Sequence, residues 1–388
     1  MRRAPLLVAL FLAAVALRPQ LVGVGPLLPS IQRDLGVSHA VAGLLGTIPV
    51  LCMGLFAPPA PFLSGHIGSP RAIGAALALV GVFGVARAVV PGAVGVILLT
   101  IPVGMGMGLA GAMLPVAVKE RFSDRPGFAT GVYTTGITIG SAVSAAVAVP
   151  LAHAANGWRT PLLVFGAVST ALAALWHWLT RTEPAHVRSD VRPLRLPFRS
   201  PLGWRLVAAF FLMSFTYYGL NSWLPDAYVE RGWSQSAAGN LLAVLNTITI
   251  PVGFVVAWAA DHVWTRRTWL AGAAALQLAS LLGIVLLPGA GWLWAVLLGM
   301  SIGPLFPLTM TLPLDASERP AEVAALAGMM LGFGYVLSST GPLVLGAVRD
   351  VSGGFNAVMW VLVAAAALLF FVDSSLSPRR LAASRSSA

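Results

Sequence analysis

Residues 6–28 read LLVALFLAAVALRPQLVGVGPLL, an apolar run broken by a single charge, Arg18, with no acidic residue on the same stretch to pair with it. About 20 apolar residues suffice to cross the hydrocarbon core of a bilayer, so the run predicts a membrane span. A cation at mid-membrane depth costs roughly 2.5–3.5 kcal/mol on insertion scales. It survives there only beside a partner or facing a watery cavity. Arg18 therefore marks a wet interior and predicts a ligand that is negative or strongly polar.

Eleven further stretches resemble it, near 40–63, 72–90, 93–116, 127–150, 158–179, 204–225, 236–259, 268–287, 291–313, 323–347 and 355–373. Only 10% of the 388 residues are charged and the mean hydropathy is +0.85, against about 25% charged in soluble proteins. The expectation is an all-α membrane protein of twelve transmembrane helices. The net charge of +11 is not a nucleic-acid footprint, because of where the basic residues fall. Alternate connections hold Arg2, Arg3, Arg71, Lys119, Arg121, Arg125, Arg181, Arg188, Arg192, Arg195, Arg199, Arg205, Arg266, Arg267, Arg319, Arg379, Arg380 and Arg385. The other side holds Arg33, Arg159, Arg231 and Arg349, a bias of 18 to 4. Cytoplasmic loops are enriched in Lys and Arg, so both termini are expected in the cytoplasm of a bacterial inner membrane. Met1-Arg2-Arg3 before Leu6–Ala16 has the outline of a secretory signal, but the apolar run resumes past Arg18 and predicts an uncleaved first span. Cys52 is the only cysteine, which excludes disulfides within the chain.

The charged, proline-rich stretch 181–203 separates two six-span halves, residues 1–180 and 204–388. The halves repeat. A shift of 196 residues sets Leu28-Pro29 on Leu224-Pro225, Gly36 on Gly232, Ser38 on Ser234 and Ala42-Gly43 on Ala238-Gly239. Two parallel six-helix repeats are the architecture of major facilitator transporters. Gly106-Met-Gly108-Leu-Ala-Gly111 fits a dinucleotide-binding spacing, but it lies inside an apolar helix with no preceding strand, so helix packing is the expected role. Trp158, Trp176, Trp178, Trp204, Trp223, Trp269, Trp292 and Trp294 near span ends predict an interfacial belt, with Trp223 beside Asn221 also placed to touch a ligand.

The seventh span carries Ser214, Tyr217, Tyr218 and Asn221 at i, i+3, i+4 and i+7, one polar face of a helix. The repeat offset sets Arg18 on Ser214, so the two stripes lie at similar depth. A pocket between them offers one cation, two phenols and an amide; alternatively the tyrosines pack between helices and bond backbone carbonyls. The fifth span adds Tyr133, with Thr134, Thr138 and Ser141 on one face, hydroxyls that either line the cavity or return to their own helix. Asn246, Tyr335, Ser338 and Ser339 are further candidates. Arg87 is expected either to snorkel to the interface or to line the cavity. All thirteen acidic residues lie at span ends or in connections, so no mid-membrane carboxylate relay is in view. The histidines lack metal-ligand spacing and no nucleophile–base pair is visible, so no enzyme, metal or cofactor is expected.

Leu17-Arg18-Pro19, Gly25-Pro26-Leu27-Leu28-Pro29 and Asp34-Leu35-Gly36 together carry a family resemblance. So do Leu114-Pro115, Lys119–Arg125 with Thr130–Thr135, Trp223-Leu224-Pro225, and Leu326-Ala327-Gly328-Met329 before Gly334-Tyr335. With these the chain resembles the cyanate and nitroimidazole permease branch of the major facilitator superfamily. The resemblance implies a secondary transporter working by alternating access on a small polar or anionic solute such as cyanate, acting as a monomer in the lipid bilayer. Efflux of nitroimidazole-like heterocycles is the alternative, and a non-transporting membrane sensor a third. The connection after the second span, Gly65–Arg71, lacks the acid usual in the superfamily, while Asp261-His262 with Arg266-Arg267 comes closer to that pattern.

Overall fold

A computed structural model describes residues 3–122, 126–155, 157–181, 196–260, 263, 265–317 and 319–376. The greater part of the linker 181–203, the Ser123–Arg125 end of the fourth-to-fifth connection, and Asp261-His262 lie outside the described residues. Sixteen α-helices are present, with no strand among the described residues. In chain order they are α1 (Arg3–Ala16), α2 (Pro19–Val22), α3 (Leu28–Leu35), α4 (His39–Phe56), α5 (Ala60–Ile67), α6 (Ser69–Val89), α7 (Ala93–Arg121) and α8 (Pro126–Ala154). Then follow α9 (Arg159–Thr180), α10 (Pro201–Glu230), α11 (Gln235–Ala259), α12 (Arg266–Leu286), α13 (Gly291–Ala316), α14 (Pro320–Ser338), α15 (Thr340–Ser352) and α16 (Phe355–Ser375).

The helices outnumber the expected spans because prolines and one polar turn divide three of them. The first span reaches from Pro5 to Leu35 rather than ending at 28. It breaks after Ala16, because Pro19 has no N–H to give and its ring disfavours helix in the residue before it. The helix restarts on the carbonyl of Arg18, which accepts from the amides of Leu21 at 3.0 Å and Val22 at 2.9 Å. Pro58 and Pro59 separate α4 from α5, and Ser339 separates α14 from α15. Eleven spans are long and apolar enough to cross a membrane. The twelfth is α10, whose length suffices but whose polar centre dilutes its apolarity.

The halves match in detail. Gly36 (φ +62°) and Gly232 (φ +90°) both adopt the left-handed conformation that glycine tolerates. Two residues on, Ser38 and Ser234 each accept a hydrogen bond from the amide three residues further along, Val41 and Ala237, capping the next helix. Within the first six spans α1 packs on α8 and α9, α6 on α7 and α9, and α4 on α7. Within the second six, α11 packs on α13, α12 on α13 and α16, and α10 on α14. Between the sets, α4 meets α14 and α15, and α8 meets α11.

On the face opposite Arg3 and Leu376, here the distal face, the two sets close on each other along a seam of small residues. A Cβ added at Gly25 would overlap the Asn221 carbonyl, one at Gly43 the Pro342 carbonyl, one at Gly46 Ser222 and Pro342, and one at Gly346 the His39 carbonyl. Polar bonds cross the same seam. Gln235 Nε2 donates to the Pro26 carbonyl at 2.8 Å and the Leu343 amide to Thr47 Oγ1 at 3.1 Å. Asp350 caps α4 from the other set, accepting from the amides of His39 at 3.0 Å and Ala40 at 2.8 Å.

The tryptophan belt holds only in part. Trp178, Trp204 and Trp292 are exposed. Trp158, Trp176 and Trp223 are buried, their indole N–H groups donating to Asp34, Pro70 and Pro342. Trp223 is fully buried at the seam, its ring tilted against those of His39 and Phe355.

Candidate functional site

The break in the first span sets Arg18 toward the centre of the bundle, half-buried, where Nη1 donates to the Tyr218 hydroxyl at 3.3 Å. Tyr218 in turn points at the Met53 sulfur at 4.0 Å. No carboxylate pairs with Arg18 among the described residues. None of its nitrogens is buried without a partner, so its unspent N–H donors face accessible space.

Next to it a ring of directional bonds closes through α10 and α11. Tyr217 donates to Asn246 Oδ1 at 3.1 Å, and Asn246 Nδ2 donates to Asn221 Oδ1 at 3.1 Å. Asn221 Nδ2 then donates to the Tyr217 carbonyl at 2.8 Å. The tyrosine rings meet edge to face, 5.2 Å apart. Tyr335 lies beside Tyr218 and Arg18, its ring set against Phe210 at 4.8 Å. Ser141 of α8 reaches Tyr217. Four of the five tyrosines of the chain were sequence candidates, and three of them stand around the one guanidinium.

Arg18, Tyr217, Tyr218, Asn221, Asn246 and Tyr335 thus come together. Tyr133 and Thr134 do not. The Thr134 hydroxyl returns to the carbonyls of Thr130 and Gly131, and Thr138 to that of Thr134. Tyr133 packs half-buried against the apolar core. Ser338 and Ser339 likewise bond the carbonyls of Tyr335 and Val336.

Arg87 neither snorkels nor lines the cavity. It is 1% exposed, inside the first six spans. Its Nη2 donates to both the carbonyl and Oε1 of Gln20 at 2.6 Å, and Nη1 to Thr100 at 3.2 Å. Gln20, itself fully buried, passes its amide N–H on to the Leu162 carbonyl at 3.2 Å. A Cβ at Gly84 would strike the Gln20 side chain, so that glycine makes the room. Arg87 holds the back of the same break whose front presents Arg18. Sequence reasoning missed this clasp; the only signal was a second cation and a glutamine in apolar runs.

A half-buried cation with phenols and amides, at the centre of two matched six-helix sets, fits a membrane carrier. Residues 6–339 match the Major Facilitator Superfamily, and the chain belongs to it. It is 31% identical to the cyanate transport protein CynX of Escherichia coli over 90% of this chain and 91% of that one. It is 29% identical to the 2-nitroimidazole transporter of the same organism, over 91% and 90%. Among solved structures, the D-xylose-proton symporter superposes with a TM-score of 0.77 at 16% identity, covering 97% of this chain and 98% of that one. The chain is a secondary transporter of small solutes and a multi-pass protein of the bacterial membrane.

Proposed function

We propose that the solute is a small anion of cyanate type, gripped by Arg18 and carried by alternating access. The observation that carries this reading is a half-buried guanidinium with no carboxylate partner among the described residues. Tyr217, Tyr218, Asn221, Asn246 and Tyr335 shape the rest of the pocket. Similarity to a cyanate transport protein, to a probable nitrate/nitrite transporter and to a putative anionic 4-hydroxy-benzoate permease supports an acceptor-rich substrate. The carrier works as a monomer. Uptake into proteoliposomes of labelled cyanate, nitrate and 2-nitroimidazole tests it. Saturable cyanate or nitrate uptake is expected; uptake of the neutral heterocycle alone overturns the anion reading.

We propose that the distal face lies outside and both termini in the cytoplasm, a reading that the basic bias supports. With Cys52 replaced by serine, a cysteine at Arg192 is expected to resist a membrane-impermeant maleimide in whole cells and to react after permeabilisation. Labelling from outside would reverse the orientation.

A further inference from the structure

His39, the first residue of α4, stands at the distal seam between two carboxylates of the other helix set. Its Nδ1 is 2.8 Å from Asp350 Oδ1, and its Nε2 is 3.8 Å from Asp226 Oδ2. A neutral imidazole carries one N–H and one bare lone pair. Here both ring nitrogens face carboxylate oxygens, so the neutral ring turns a lone pair on one of them. Only the doubly protonated ring offers a proton to each side.

The surrounding charges point the same way. Asp226 and Glu230 approach from α10, Asp350 and Arg349 from α15, and Gln32 of α3 donates to Asp226 at 3.3 Å. Arg349 is taken up by Glu230 at 2.8 Å, and Glu230 also accepts the Phe355 amide at 3.1 Å. Trp223 and Phe355 pack on the imidazole as neutral rings. The second set thus holds three carboxylates around one guanidinium, and closing the seam brings His39 of the first set against them. A proton on His39 offsets part of that surplus. When the sets part, His39 and its carboxylates separate and that proton loses its partners.

We propose that His39 is a proton-binding site of the carrier and that proton uptake there favours closure of the distal seam. Binding and closure are reciprocal: whatever the closed state gains in proton affinity, the proton returns as a bias toward closure. Closure is favoured on the acid side and released on the alkaline side. With the distal face outside, external protons would close the carrier behind an incoming anion. That last step rests on the orientation and substrate given above, whereas the proton site does not.

The test is a distance measurement without substrate. In a Cys52→Ser background, Val94→Cys and Gly289→Cys place spin labels at exposed distal positions of the two sets, away from the three residues. Lowering the pH from about 8.5 to 5.5 is expected to enrich the short-distance population several-fold. His39→Gln is expected to flatten this response, and Asp226→Asn to move it to lower pH. A wild-type distribution that ignores pH, or a response that survives intact in His39→Gln, overturns the proposal. Should His39→Gln fail to fold, an unmoved response in Asp226→Asn does so alone. Because no substrate is present, this result is independent of whether the carrier takes anions.

Discussion

Arg18→Ala is expected to yield a folded carrier that scarcely binds or moves its solute. On the reading proposed above, the substitution removes the cation that grips the solute, and with it the charge-assisted bonds made there. Such a bond contributes roughly 1.5–3 kcal/mol, so affinity should fall about tenfold or more. Arg18→Lys keeps the charge but loses the planar fork that engages two oxygens at once, and should retain weak transport. Tyr217→Phe and Asn221→Ala remove neutral bonds and should cost on the order of 1 kcal/mol each. Equilibrium binding and proteoliposome uptake measure the losses, and thermal unfolding in detergent separates them from misfolding. Normal transport by well-folded Arg18→Ala protein would make Arg18 a structural charge.

Arg87→Ala is expected to fail differently, in stability. Arg87 satisfies the Gln20 carbonyl, the Gln20 amide oxygen and Thr100 from a site closed to water. Leaving a buried acceptor without its donor typically costs about 1–3 kcal/mol, because the groups left behind keep their burial and lose their bonds. Replacing both partners with apolar residues of similar size should recover much of that loss. The pair Arg87→Met with Gln20→Leu is therefore expected to melt well above Arg87→Ala alone. Thermal unfolding of the purified protein decides it. Equal melting temperatures for the single and double variants would show that the clasp contributes nothing.

The contrast between these two arginines shows what a sequence discloses. Both are lone cations in apolar helices. The place of Arg18 in the central cluster was legible because the repeat offset sets it level with the polar stripe of α10. The role of Arg87 depends on a contact with Gln20, 67 residues away, that no periodicity reports. The seam was hidden for the same reason. His39 and Asp350 are 311 residues apart, and each alone looks like an ordinary polar residue at a span end. The fifth span shows a subtler limit: the spacing of Thr134, Thr138 and Ser141 was right, but a helical hydroxyl is free to turn outward or back to its own carbonyls. The fold was easier, because hydrophobic length in a bilayer leaves few alternatives.

The glycines of the distal seam bear on speed more than on strength. Interlocked side chains resist separation, since each must leave its rotamer well before the surfaces slide. Gly25, Gly43, Gly46 and Gly346 present bare backbone to the opposing helices, so there are no teeth to disengage. Two smooth surfaces part with little friction. Bulk at such a position should slow turnover more than it alters how tightly the solute is held, and Gly46→Ala, whose Cβ would meet Ser222 and Pro342, is the mildest way to feel that drag.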